Sequence, residues 1–373
     1  MSSRLALTDR RALLRRWLAL AVLALALVAG SRAGAAEGAR PVVGAIRWDG
    51  WLVEGSVGRA VSKSLTPPHW SYRLPFFAKV REGGSPELRG DTAEVMTAEV
   101  AAARTARLDY WAFLAYDEAD PMTRGLQLYL ANPRRAEVNF CIISETARWH
   151  RGNVAAQAER FAGLMAEPGY QRVAGGRPLF YFLHHSLEPF TRAWGKPAGF
   201  REAVEALKAA AATRGLPAPY LAVMTYDVNG AKALLDGAGL DAISAYAFQR
   251  GQERAPYARL TSDLEALWEI QRGSGASVIP LAMAGWDRRP RVENPVPWEN
   301  FGGTMDKYYE TPTPEELATH IRTAVQWTRD HAAACPAQAV IVYAWNEFDE
   351  GGWLCPTLSE GPARAEALGR ALR

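Results

Sequence analysis

Cysteine is scarce in this chain: three in 373 residues, at Cys141, Cys335 and Cys355. That excludes a small disulfide-built scaffold. Cys141 lies in an apolar run and reads as a small buried hydrophobe. Cys335 and Cys355 flank an expected strand of about eight residues, which holds them roughly 25 Å apart, beyond disulfide reach. C-x-x-C pairs and histidine clusters are also missing, so no metal and no other cofactor is expected. A glycine fingerprint does not follow the first expected strand, which argues against a dinucleotide fold. Long hydrophobic runs are missing as well. The longest, Trp17–Gly30, has 14 residues, and a membrane span needs roughly 20.

A strong charge of one sign is lacking too. The formal charge is +3, from 43 basic and 40 acidic side chains. Residues 1–36 carry six of the arginines and one acid, which leaves 37 basic and 39 acidic groups in residues 37–373. A nucleic-acid partner therefore has no basic footprint to bind. The same N-terminal segment reads as an export signal. Arg10-Arg11 and Arg15-Arg16 precede the apolar run, and Ala33-Gly34-Ala35-Ala36 offers a small-residue cleavage site. Arg10-Arg11 loosely fits a twin-arginine signal. The expectation is a signal peptide over 1–36, a domain over 37–373 in the periplasm or outside the cell, and no membrane span after cleavage.

What is present is alternation. Strand patterns occur at Val42–Trp48, Asp109–Tyr116, Val138–Ser144, Leu179–His184, Tyr220–Thr225, Ala242–Phe248, Val278–Ala284 and Ala339–Trp345. Helical patterns separate them: Thr92–Arg107, Met122–Ala131, Ala155–Glu167, Phe200–Arg214, Gly230–Gly237, Leu260–Arg272, Pro314–His331 and Ala363–Leu372. Thr313-Pro314-Glu315-Glu316 is a helix start. Eight near-continuous apolar strands alternating with helices point to an α/β fold, a single-domain (β/α)8 TIM barrel. An open doubly wound sheet shares that alternation. Residues 50–90 and 290–312 are expected as loops over the active face.

In such a barrel, chemistry sits at the C-terminal ends of the strands. Those ends carry Trp48 and Asp49; Tyr116 and Asp117; Glu145; His184; Tyr226; Tyr246; Trp286 and Asp287; and Trp345, Asn346, Glu347 and Glu350. Aromatic faces stack on the apolar face of a sugar ring, and carboxylates and amides bind its hydroxyls. A carbohydrate is therefore the expected partner. His184-His185 lack a third ligand and suit hydrogen bonding. Arg47 is expected to pair with a carboxylate such as Glu145. Glu347 and Glu350 are three positions apart, and glycosidic cleavage uses two carboxyl groups, one of them acidic near neutral pH.

The stretch Tyr343-Ala344-Trp345-Asn346-Glu347-Phe348-Asp349-Glu350-Gly351 resembles the A-W-N-E-W-x-E-G signature of glycoside hydrolase family 99-like, or WbsX-like, proteins. Gly285-Trp286-Asp287-Arg288-Arg289-Pro290-Arg291 resembles their G-W-D-x-x-P-R segment, and Arg177-Pro178-Leu179-Phe180-Tyr181 their K-P-x-x-Y strand. The resemblance implies a TIM barrel acting on glycans as an endo-mannosidase-like hydrolase. It implies that Glu347 acts as base on the substrate's 2-hydroxyl and Glu350 as acid/base. Phe348-Asp349 stands where family 99 enzymes have Trp-His. The Asn-Glu pair follows the eighth strand, not the fourth as in retaining β-glycosidases. A non-catalytic glycan-binding barrel and a glycosyltransferase of polysaccharide assembly fit the same residues.

Overall fold

The computed structural model describes residues 40–373, apart from 53–54, 83–85, 252 and 300–302. The expected export signal lies outside the described residues. Among the described residues, no helix is long and apolar enough to cross a membrane.

Every expected strand forms. They are β1 (Val42–Arg47), β2 (Tyr110–Leu114), β3 (Asn139–Glu145), β4 (Arg177–Leu183), β5 (Tyr220–Met224), β6 (Ala242–Ser244), β7 (Ser277–Val278), β8 (Leu281–Met283) and β9 (Ala339–Tyr343). The seventh expected strand is split into β7 and β8. Pro280, which has no N–H for a ladder, sits at the break. The strands pair in parallel along one path, β7-β6-β5-β4-β3-β2-β1-β9-β8. The result is a parallel half-barrel of nine strands with helices between them.

The strands are buried on both faces, as their unbroken apolar runs require. Large side chains fill the space that the sheet curls around. The Tyr110 and Tyr181 hydroxyls meet there at 2.9 Å. Gly44 makes room for this packing: a Cβ on it would stand 2.2 Å from the Tyr110 ring.

The expected helices form within a few residues of their read boundaries. Thr313 caps Pro314–Asp330 through a reciprocal bond with Glu316, and Thr92 caps Ala93–Thr105. Three helices were not expected: Ser56–Ser64, Leu187–Trp194 and the short Arg289–Glu293. The first buries only Val61 and Ser64, too little for an apolar stripe. The last is a little over one turn, opened by Pro290. It lies within the 290–312 loop and brings Arg291 to the end of β9.

Candidate active site

The chain leaves β9 through Ala344 and Trp345 into a short antiparallel pair, β10 (Asn346–Glu347) and β11 (Gly352–Trp353). Between them Phe348–Glu350 makes one tight turn that ends at Gly351, with φ +82°. A Cβ at Gly351 would stand 2.6 Å from the backbone nitrogen of Asp287. Glycine therefore lets the β8 loop close onto the turn, and the Asp287 N–H donates to the Glu350 carbonyl at 2.7 Å. Phe348 packs edge-on against Trp51, with ring centroids 5.2 Å apart. The turn buries three acids: Glu347, Asp349 and Glu350 are 4%, 0% and 7% exposed.

Three carboxylates taken from water in four residues need cations. Arg291 supplies the first. Its Nε and Nη2 donate to the two oxygens of Asp349 at 2.8 and 2.9 Å. Its Nη1 donates to Glu299 at 2.8 Å and to Oε1 of Glu350. Its Nη2 also lies 3.6 Å from Oε2 of Glu347. Arg288 supplies the second cation, 3.1 Å from Oε1 of Glu350. The Tyr343 hydroxyl donates to the other oxygen of Glu350.

The two glutamates therefore titrate in opposite directions. Burial alone would raise Glu350, but Arg291, Arg288 and the Tyr343 bond outweigh it and hold its carboxyl below the ordinary range. Burial and the neighbouring charge of Glu350 push Glu347 well above that range, against Arg291. The Tyr246 hydroxyl reaches Oε1 of Glu347 at 3.4 Å, and Oε2 has no hydrogen-bond partner among the described residues. The two carboxyl groups titrate as a pair, and Glu347 is the member that holds a proton more readily.

Glu350 borders a cleft of about 630 Å³, whose walls also include His184, Tyr226, Tyr246, Phe248 and Trp286; Glu347 lies behind Tyr246, which bonds it from that wall. A second lobe of about 360 Å³ runs past Val292 and Pro295 to Thr304 and Lys307. The lobes share Gln249, Trp286, Arg288 and Glu299. An apolar, aromatic cleft with a few converging polar groups is the usual form of a small-molecule or glycan site.

The residues expected at the strand ends fall into distinct places. His184 sits in the cleft wall, bonded to Thr146 at 3.0 Å, and burial keeps its imidazole below the usual range. Tyr226 is 59% exposed on the same wall. The Trp48 indole donates to the Tyr116 hydroxyl at 2.8 Å, and its ring lies 5.7 Å from the Arg291 guanidinium. Asn346 is buried and accepts from the Trp48 N–H at 3.0 Å. Glu145 is half-buried, facing Arg148 and His185 at 3.6 and 3.8 Å. Asp117 lies on an exposed turn, outside the walls of both lobes.

Four expectations are corrected. Trp345 does not rim the cleft: it is fully buried, and its indole donates to Glu99 at 3.1 Å. Asp287 is not open to a ligand, because Arg73 and Arg289 take both of its oxygens. Arg47 does not pair with Glu145. It donates to Asp49 at 2.8 Å and to Glu99 at 2.6 Å beneath the site. Asp49 is thereby turned inward, 4% exposed. Burial pushes its carboxyl up to about 6, against Arg47.

Reading strand ends gave Arg288 no role and missed Arg291, Glu299 and Tyr343. Tyr343 hides inside a strand. Arg291 was visible only as the last letter of a motif, and Glu299 only as one charge in a proline-rich loop. Among the described residues, no group of His, Cys, Asp or Glu could hold a metal ion. All three cysteines are buried and unpaired.

No protein-family model matches the chain, and no curated protein matches it in sequence. Solved structures do. A GH99 endo-α-mannosidase from Bacteroides thetaiotaomicron, in complex with bis-tris propane, aligns over 88% of this chain and 94% of its own, with TM-score 0.54 and 14% identity. Another structure of the GH99 endo-α-mannosidase from that organism aligns over 80% and 81%, with TM-score 0.51 and 14% identity. At that identity the likeness is one of fold alone.

Proposed function

We propose that this protein is an endo-acting glycoside hydrolase that uses Glu347 and Glu350 on a poly- or oligosaccharide. The observation that carries the reading is the split of the two carboxyl groups. Both lie within ion-pair distance of the Arg291 guanidinium, beside an aromatic cleft, and their surroundings push Glu347 up and hold Glu350 down. Glycosidic cleavage needs such a pair, a proton donor for the leaving oxygen and a carboxylate opposite it. In our reading Glu347 donates the proton and Glu350 is the carboxylate. This reverses the order implied by the family 99-like resemblance, because burial and the neighbouring charge of Glu350 make Glu347 the readier of the two to hold a proton. Tyr246 steadies Glu347, and Arg288, Arg291 and Tyr343 keep Glu350 charged.

Two further points belong to the reading. The reading takes the half-barrel as a closed (β/α)8 barrel, supported by the Ile279 N–H donating to Ile243 at 2.9 Å on the β6 side and the Pro280 carbonyl accepting from Ile341 at 3.1 Å on the β9 side. The protein is exported by its first 36 residues, on the strength of their charge and hydrophobicity pattern. The test is release of reducing ends from a panel of glycans by the wild-type protein and by Glu350→Gln. Hydrolysis by the wild type, abolished in the variant with folding intact, supports the proposal. Equal turnover by the two proteins, or binding without cleavage across the panel, overturns it.

A further inference from the structure

The two lobes of the cleft meet at an ion cluster that paired-carboxyl chemistry does not itself require. Glu299 reaches in from the loop after the Arg289–Glu293 helix and offers one oxygen to each of two arginines. Its Oε1 accepts from Nη1 of Arg291 at 2.8 Å, and its Oε2 from Nη2 of Arg288. The carboxylate is thus a planar bridge between two guanidinium groups, both of which also contact Glu350. Glu299 and Arg288 line both lobes, so this bridge stands in space that a ligand would enter. Trp286, with the Arg288 guanidinium 5.5 Å from its ring, faces the same junction.

Three features distinguish Glu299 from an ordinary brace. Its carboxyl titrates above the usual range, because burial and the charge of Glu350 outweigh Arg291 and Arg288. The two arginines therefore do not fully repay the desolvation of its charged form. Arg291 holds Asp349 through Nε and Nη2, so only its Nη1 faces Glu299. The position also suits an incoming anion of the same shape, since paired guanidinium groups recognise a planar carboxylate through parallel N–H bonds.

We propose that Glu299 is a placeholder for the carboxylate of a hexuronic acid residue, so that the substrate class is a uronic-acid-containing glycan. The inference rests on the glycan-cleft reading above and deepens it. On binding, the substrate carboxylate takes the place of the Glu299 carboxylate between Arg288 and Arg291. One anion replaces another, so neither buried cation loses its partner. The uronate ring lies against Trp286 at the junction of the lobes, next to Glu350. The second lobe, ending at Lys307, takes the neighbouring unit.

Calorimetry with glucuronate, glucose and glucose 6-sulfate on wild-type, Glu299→Ala and Glu299→Gln proteins tests this. Removing the placeholder should tighten glucuronate binding at least about tenfold over wild type, with glucose unchanged. Glu299→Gln should fall between, and serves if Glu299→Ala does not fold. Glucuronate binding no better than glucose in both variants overturns the proposal. Glucose 6-sulfate binding as tightly as glucuronate overturns the planar carboxylate. A wild-type protein that cleaves mannan or xylan faster than polygalacturonate overturns the proposal and leaves the hydrolase reading standing. Selective glucuronate binding by a protein that cleaves no glycan supports the proposal and overturns the hydrolase reading.

Discussion

Arg291 grips both oxygens of Asp349, the residue between the two candidate catalytic glutamates, at 2.8 and 2.9 Å. The Ser64 hydroxyl adds a third bond at 3.1 Å. An acid at that position would otherwise repel both neighbours. Paired as it is, Asp349 anchors the one guanidinium that also reaches Glu350 and Glu347. The tight turn and the loop helix are thus one electrostatic unit, assembled from segments 58 residues apart.

Arg291→Met should therefore be costly in two ways. It leaves Asp349 and Glu350 as buried charges short of a partner, a loss of about 3–5 kcal/mol in urea unfolding. It also lets the Glu350 carboxyl rise toward the ordinary range. The acidic limb of the pH–rate profile should move upward in whatever protein remains folded. An unshifted limb would show that Arg291 does not set the charge on Glu350.

The proposed division of labour predicts a leaving-group test. A proton donor matters little when the departing group is already a good one. Glu347→Gln should keep substantial turnover on a dinitrophenyl glycoside while losing about 10²–10⁴-fold on a natural linkage. Glu350→Gln should lose both. The reverse pattern would restore the order implied by the family 99-like resemblance. The alkaline limb of the wild-type profile should also vanish in Glu347→Gln, since that limb reports loss of the Glu347 proton.

Asp49 gives a separate pH effect, on stability. Its folded-state carboxyl is raised from 3.8 to about 6. A raised carboxyl binds its proton more tightly when folded. Its contribution is complete below about pH 4 and is lost as pH rises through 6, a change of up to about 3 kcal/mol. Glu347 adds to the same downward slope, while Glu350, with its lowered value, opposes it at lower pH. The melting temperature of Asp49→Asn should fall less between pH 4 and 6 than that of the wild type. The slope is the readout, because the substitution also disturbs Arg47 and shifts the absolute level.

How far the sequence foretold this depends on which physical signal each feature leaves. Strand positions were legible because a strand buried on both faces must be an unbroken apolar run. Glu347 and Glu350 were legible because acids flanked by Trp345, Phe348 and Trp353 are not a solvated surface. The cations were not, because Arg288, Arg291 and Glu299 meet the acids only through a loop whose path has no periodicity. Sequence placed Arg47 on β1 but could not tell which of several carboxylates it would meet. Glu99, its second partner, lies on the helix Ala93–Thr105, 52 residues further along the chain. Depth was equally invisible: Trp48 and Trp345 both end strands, yet the ring of one faces Arg291 and the other is fully buried against Glu99.

That difference in depth separates the two tryptophans experimentally. Trp48 is 9% exposed, close to Arg291 and to Trp298, whose ring centroid is 5.9 Å away. If its ring helps seat the glycan, Trp48→Ala should raise KM about tenfold, roughly 1.4 kcal/mol, with a smaller effect on kcat. Trp345 has no exposed surface and makes its polar bond to Glu99. Trp345→Phe should leave KM unchanged and lower stability by about 1–3 kcal/mol, because it strips a buried carboxylate oxygen of a donor. Urea unfolding alongside steady-state kinetics on both variants would read the contrast. Matching KM effects would mean that Trp345 reaches the substrate, contrary to its burial. A stability loss without any KM change in Trp48→Ala would reduce that residue to packing.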